Sequence, residues 1–158
     1  MTAQGTSGFT AKGGLWVVAQ FICMPAVLIA GPASGHFQSF LPALLGGALL
    51  IIAGGVVGIA GVRDLGRNRS VYPAPLAAAE LVQHGIYRFL RHPLYAALIY
   101  LSFGWALLWT SWLTASLALL MAAVLHFKAR REEAFLRCKH RDYGAYAVRV
   151  KRFIPGVW

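Results

Sequence analysis

Two long stretches of the chain carry no charge at all. From Gly13 to Val62, and again from Pro93 to Phe127, there is no Asp, Glu, Lys or Arg. Every charged residue except Lys12 falls in the two remaining segments, 63–92 and 128–158. Uncharged apolar blocks of this length mark membrane spans. They divide into four predicted helices, Gly14–Gly31, Phe40–Val62, Pro93–Thr110 and Trp112–Phe127. A span needs about 17–25 apolar residues, so the first, third and fourth lie near the lower limit. The short "WTSW" connection makes the last two an antiparallel hairpin, with Trp105, Trp109 and Trp112 as interface anchors. Residues 1–13, rich in Gly, Ser and Thr, read as a flexible leader. Residues 14–158 then form a single membrane domain. The first block is longer than the roughly 7–15 residues of a cleaved signal core, and its removal would leave an odd number of spans.

Composition agrees. The chain of 158 residues is 58% hydrophobic with mean hydropathy +0.60, against about 45–50% apolar in soluble domains. The fold class expected is an all-α integral membrane protein of about four spans. Its net charge of +10 would suggest nucleic acid in a soluble protein. Here the charge is segregated. Lys12, five arginines in 63–91 and nine Lys and Arg in 128–152 lie on one side if both termini are cytoplasmic. The connections "PASGHFQS" and "TSW" have none. Arginine and lysine favour the cytoplasmic side and attract anionic lipid. The partner expected is therefore the lipid bilayer and not nucleic acid. Cys23 and Cys138 lie far apart in the predicted topology, with no disulfide or metal spacing.

The second span, "LLGGALLIIAGGVVGIAGV", has a GxxxG at Gly54 and Gly58, thickened by Gly47, Gly55 and Gly61. Such a face admits close helix approach, within the chain or in an oligomer. Residues 63–92 make a connection too long for a turn, and long connections are usually functional. The run "HFKARREEAFLRCKH" lacks Gly and Pro, so the fourth helix should project into the cytoplasm as a helical extension. On it His126, Arg130, Glu133 and Arg137 share one face, and Lys128 and Glu132 pair on another. Taken alone, this is an ordinary solvated face with ion pairs worth about 0.2–0.5 kcal/mol each. The hairpin changes that reading. It brings Arg88, Arg91 and His92, at the start of the third helix, to the membrane face where Glu132 and Glu133 leave the fourth. Tyr87 and Tyr95 add aromatic rings, and the helix start adds partial positive charge. This set suits a zwitterionic aromatic ligand meeting a lipophilic one.

The ordered residues resemble a known family. Leu81, Val82, Gly85 and Tyr87, then Arg91, His92, Pro93 and Tyr95, then Glu132 and Glu133, then Tyr143, Tyr146 and Pro155 are similar to the pattern of the isoprenylcysteine carboxyl methyltransferase and phospholipid methyltransferase superfamily. The resemblance covers about half the chain. It implies S-adenosylmethionine as methyl donor. It further implies that Leu81, Val82 and Tyr87 line its nucleoside region and that His92, Pro93, Leu94 and Tyr95 frame it. Glu132 or Glu133 would bind it, with Glu133 and Arg91 as catalytic candidates. A basic residue before the double Glu faces the acceptor in such proteins, and Lys128 or Arg131 fits that place. The acceptor implied is lipophilic: a lipid amine, a prenylcysteine-type carboxylate or a small thiol. An amine would need a base, for which Glu133 and His126 are candidates. No metal is required, because a methyl sulfonium is already activated.

Two positions depart from the pattern. Ala97 stands where a Gly is usual, and its methyl is expected to narrow the cavity. His140 stands where a Gly often precedes Y-x-x-Y, which affects the tail's turn. The chain is also shorter than many members, so part of the acceptor pocket would be absent or come from another subunit. These departures favour the alternative of a non-catalytic scaffold that keeps the fold. A transporter or channel fits less well, since no ionisable residue lies mid-span.

Overall fold

The computed structural model describes residues 4–157. Among them the regular structure is helical, apart from one isolated bridge between Leu90 and Lys151. Six α-helices follow in order: α1 (Gln4–Ala11), α2 (Gly14–Ser34), α3 (Leu41–Leu65), α4 (Pro93–Leu108), α5 (Trp112–Lys139) and α6 (Tyr143–Arg149). Single 3-10 turns lie at Gly66–Asn68 and Gly85–Arg88.

Of the leader, the first three residues lie outside the described ones, and Gln4–Ala11 is helical. Phe9 explains the order, since its ring meets Tyr72 edge-on at 6.2 Å and lies against Gly14. Gly13, at φ 83°, turns the chain into α2.

Three helices, α2, the one from Leu41 and α5, are long and apolar enough to cross a membrane, whereas α4 has only 16 residues. At 1.5 Å per residue α4 spans about 24 Å, short of the roughly 30 Å hydrocarbon core. It stops at Leu108 and not at Thr110 because Thr110 takes a positive φ of 44° and Ser111 caps α5. Ser111 Oγ accepts from the Thr114 amide at 3.1 Å and shares a hydrogen bond with Ser34 Oγ at 2.7 Å. The Trp105 indole donates to the Leu28 carbonyl, and Gln38 reaches both Thr110 and the Leu108 carbonyl. A knot of polar contacts therefore joins the helices at the end away from the basic segments.

The bulky residues of α3 point outward. Leu45, Leu49, Ile52, Val56 and Ile59 are all exposed, at alternating spacings of four and three that form one stripe. Leu15, Phe21, Ile22, Leu28 and Ile29 do the same on α2. The opposite face of α3 carries glycine, and it packs on α4. A Cβ on Gly54 would lie 3.0 Å from the Ala97 carbonyl, and one on Gly47 would lie 3.1 Å from that of Gly104. Gly61 meets Pro93 and Leu94. In lipid, close backbone packing replaces the hydrophobic drive, which is why small residues face inward and large ones outward. The protein is thus an all-α membrane protein whose glycine face is used within the chain.

Beyond Phe127, α5 continues unbroken to Lys139, as its composition predicts. The tail then turns back. The amides of Arg91 and His92 donate to the carbonyls of Lys151 and Arg152 at 2.8 and 3.2 Å. Phe153 is sealed beside Leu90, Ala96 and Ala129, and the Tyr100 hydroxyl donates to its carbonyl. The C-terminal segment is therefore built into the start of α4.

Candidate functional site

The site forms where the basic segments converge on the start of α4. Gly85 opens its first turn at φ 57°, a left-handed conformation that costs other residues about 1–2 kcal/mol. Asp64, at the end of α3, accepts from the Ile86 amide at 2.7 Å, and a Cβ on Gly85 would meet its Oδ2 at 2.0 Å. Gly85→Ala is therefore expected to destabilise the protein by more than about 2 kcal/mol, the left-handed term plus a displaced hydrogen bond. Thermal unfolding in detergent measures it, and an unchanged midpoint would contradict the account. The turn places Tyr87 inside, and the Tyr146 hydroxyl donates to its carbonyl at 2.8 Å. Burial pushes that hydroxyl up to about 12, so it stays protonated as a donor.

His92 precedes α4 and Pro93 begins it. Proline suits this position because its missing N–H would have no intrahelical partner. The His92 ring stacks on Tyr95 with centroids 5.3 Å apart. Its Nε2 lies 3.2 Å from Glu133 Oε1, and its Nδ1 lies 3.9 Å from Glu132 Oε2. A carboxylate oxygen only accepts, so the ring carries a proton on Nε2. His92 thus stands between the two glutamates.

The two glutamates have different surroundings. Glu133 is fully buried. Arg152 grips it with two bonds of 2.8 Å, while Arg91 and Arg137 stand 3.3 and 3.5 Å away. Burial alone would raise its carboxyl. The bonds from Arg152 and His92, and the Arg91 charge, overcome that and hold it well below the usual carboxylate range. Such a group is a poor proton acceptor. Glu133 also does not line the cleft described next. Its contacts hold Arg91, His92 and, through Arg152, the tail.

Glu132 faces the other way. Its Oε2 accepts from the Tyr95 hydroxyl at 2.6 Å, and it lines a cleft between α4, α5, the tail and the 65–82 connection. Leu81, Val82, Tyr87, Arg91, His92, Pro93, Leu94 and Tyr95 line the same cleft. Tyr72, Tyr143 and His140 join them. Three buried polar atoms of residues that line the cleft, Arg91 Nε, His140 Nε2 and the Tyr143 hydroxyl, have no hydrogen-bond partner among the described residues. Buried polar groups are nearly always paired, so these call for an explanation. The cleft thus gathers unpartnered polar atoms and a carboxylate, Glu132. Its enclosed volume is only about 100 Å³.

Lys128 and Arg131, open alternatives from the sequence, separate here. Lys128 is buried. It donates to Gln20 of α2 at 2.6 Å and lies 5.2 Å above the Tyr95 ring. Arg131 is exposed, 3.4 Å from the Ala11 carbonyl, and lies over Phe135. Neither lines the cleft. Ala97 lies away from it and lines an apolar hollow between α3 and α4, its Cβ facing Gly58. Arg152 was not foreseen. "VKRFIPG" shows a basic tail before a proline, but nothing in that run says which cation turns inward.

The long apolar helices define an integral-membrane protein, with a cleft at the end of the bundle where its basic segments converge. Residues 42–143 match the model of the phospholipid methyltransferase family. The match covers well over half the chain, and the chain belongs to that family, within the isoprenylcysteine and phospholipid methyltransferase superfamily. It is thus a membrane methyltransferase for lipid-like acceptors. No curated protein matches the chain.

Proposed function

We propose that the protein transfers a methyl group from S-adenosylmethionine to a lipophilic acceptor at the cytoplasmic face of its membrane. The observation that carries the reading is the meeting, within one cleft, of the Glu132 carboxylate with Arg91 and His140, each of which has a buried nitrogen without a hydrogen-bond partner. The residues fit the cofactor. Arg91 Nε and His140 Nε2 are available to its carboxylate, and Glu132 accepts from its ammonium or ribose hydroxyls. Leu81, Val82, Tyr72 and Tyr87 supply apolar and aromatic surface for an adenine ring. S-adenosylmethionine supplies an activated methyl, so the chain's task is to align the acceptor and exclude water. Glu133 holds Arg91 in place through its 3.3 Å contact. Leu94 stands where the cleft meets the apolar outer surface. The basic segments support a topology with both termini in the cytoplasm.

Calorimetry on detergent-solubilised protein, titrated with S-adenosylmethionine, tests the reading. Saturable binding is expected, and its absence would refute it. Transfer of labelled methyl into a membrane extract then identifies the acceptor.

The small cleft adds a further expectation. Its enclosed volume of about 100 Å³ is below the roughly 300 Å³ of a cofactor-sized pocket. The 69–82 strap covers it and is held by few bonds, among them Glu80 N to Asn68 Oδ1 at 3.0 Å and Ala74 N to the Lys12 carbonyl at 3.4 Å. The strap must shift to admit a nucleoside and then repack on it. Trypsin cleavage at exposed Arg67 and Arg69 should slow several-fold when cofactor is added. Equal rates with and without it would show that the strap does not respond.

A further inference from the structure

Lys128 is a buried cation without an anion in contact. It is 2% exposed, and among the described residues it makes no ion pair. Its hydrogen bond goes to a neutral group, Gln20 Oε1 of α2, at 2.6 Å. Its Nζ lies 5.2 Å from the centre of the Tyr95 ring, and Tyr95 belongs to the wall of the cleft. The Tyr95 hydroxyl in turn donates to Glu132 Oε2 at 2.6 Å. Glu132 also lies one turn along α5 from the lysine. Lys128 therefore stands behind the wall, one ring away from the carboxylate that lines the cleft.

The other groups near it are engaged elsewhere. On α2 the one titratable residue, Cys23, packs against Met121, Val124 and Leu125. On α4, His92 stacks on Tyr95 and lies 3.2 Å from Glu133. The tail meets α5 at Ala129 and Glu133, where Arg152 is bound. Helix α6 packs further on, near Leu136. Glu133 is held by Arg152, so Glu132 is the carboxylate left to balance Lys128. A buried ammonium is costly unless a charge balances it. Burial lowers its hold on the proton, and the Glu132 carboxylate partly restores it.

We propose that Lys128 is a charge-coupled proton site, which carries a proton while the cleft is empty and releases it to solvent when a sulfonium ligand occupies the cleft. The proposal rests on the methyl-transfer reading and adds a proton-coupled device to the same site. A cation beside Glu132 takes up the field that favoured the ammonium, and it also repels the ammonium directly. One N–H bond of Lys128 breaks, its electron pair stays on nitrogen, and the proton passes to water. The neutral amine keeps its bond to Gln20, because an amine N–H still donates. Once the methyl has left, the sulfur is neutral and the lysine takes a proton back. Arg131 could not serve in this way, since a guanidinium does not give up its proton in a protein.

Calorimetry in detergent, repeated at one pH in buffers of different ionisation enthalpy, counts the protons exchanged per ligand bound. S-adenosylmethionine and S-adenosylhomocysteine share their ionisable groups, but only the first carries a positive sulfur. Wild type should release roughly half a proton more with the first than with the second. Lys128→Met should erase that difference. Gln20→Glu keeps the lysine, gives it a fixed counter-charge, and should erase the difference too. It also decides the matter if Lys128→Met fails to fold. A merely structural lysine would alter the unfolding midpoint of these variants and leave the proton count alone. An equal count for the two ligands in wild type, or a difference that survives in a folded variant, would overturn the proposal. Absence of saturable binding by the wild type would instead overturn the methyl-transfer reading, and this proposal with it.

Discussion

Glu133→Gln is expected to lower stability by about 3–5 kcal/mol, the cost of breaking a buried ion pair by removing one partner. The substitution keeps the shape and removes the charge. Arg91 and Arg152 then share a buried site with no anion, and His92 Nε2 loses a charged acceptor. For a chain of this length the midpoint should fall by roughly 10 °C, read by thermal unfolding in detergent. The tail should loosen with it, because Arg152 holds it to α5 through two 2.8 Å bonds. The acid limb gives an independent check. The folded carboxyl lies below its ordinary value of 4.5, so the unfolded state binds the proton more readily. The stabilisation is therefore fully present above that value and is lost as pH falls towards the depressed one. Wild type should lose stability through that window more steeply than Glu133→Gln. Parallel acid limbs, or a midpoint within a degree of wild type, would show that Glu133 does not hold the cluster together.

Glu132→Gln should behave in the opposite way. Glu132 is partly exposed, and its one short bond, from the Tyr95 hydroxyl, survives because an amide oxygen also accepts. Stability should change by less than about 1 kcal/mol. Cofactor affinity should fall instead. A hydrogen bond to a charged group is worth about 1.5–3 kcal/mol, which corresponds to roughly 10- to 100-fold in Kd. Calorimetry with S-adenosylmethionine measures the loss. The pair of variants separates the two roles: Glu133 acts on the fold and Glu132 on the ligand. If Glu132→Gln bound as tightly as wild type, the cofactor would have to sit elsewhere.

Adjacent glutamates on one helix point about 100° apart, and the difference between them is therefore one of direction. Sequence could place Glu132 and Glu133 at the same end of the bundle as His92. It could not say which would be turned towards the tail, because that depends on the rotation of α5 about its axis. The rotation is set by contacts far away in sequence, Lys128 with Gln20 and Glu133 with Arg152. For the same reason Lys128 and Arg131 were equivalent on paper and are separated in space.

Much of the architecture was nevertheless legible. The uncharged blocks end within three residues of the observed helix ends at α2, α3 and α4, because charge at depth in lipid is costly. The hairpin, the projection of α5 and the gathering of Arg91, His92 and the glutamates at one end follow from short connections and helix-forming composition. The family resemblance further pointed to Leu81, Val82, Tyr87, Pro93, Leu94 and Tyr95, which all line the cleft.

By itself, then, the sequence determined that the chain is a helical membrane protein and which residues meet at its basic end. Hydropathy and helix geometry are local and act along the chain. Tertiary structure alone decided which glutamate is sealed among cations and which faces the cleft. It also decided that Arg152 turns inward and that the glycines leave a groove beside Leu94. Those outcomes depend on packing between segments distant in sequence, where a rotation of one residue exchanges a binding group for a structural one.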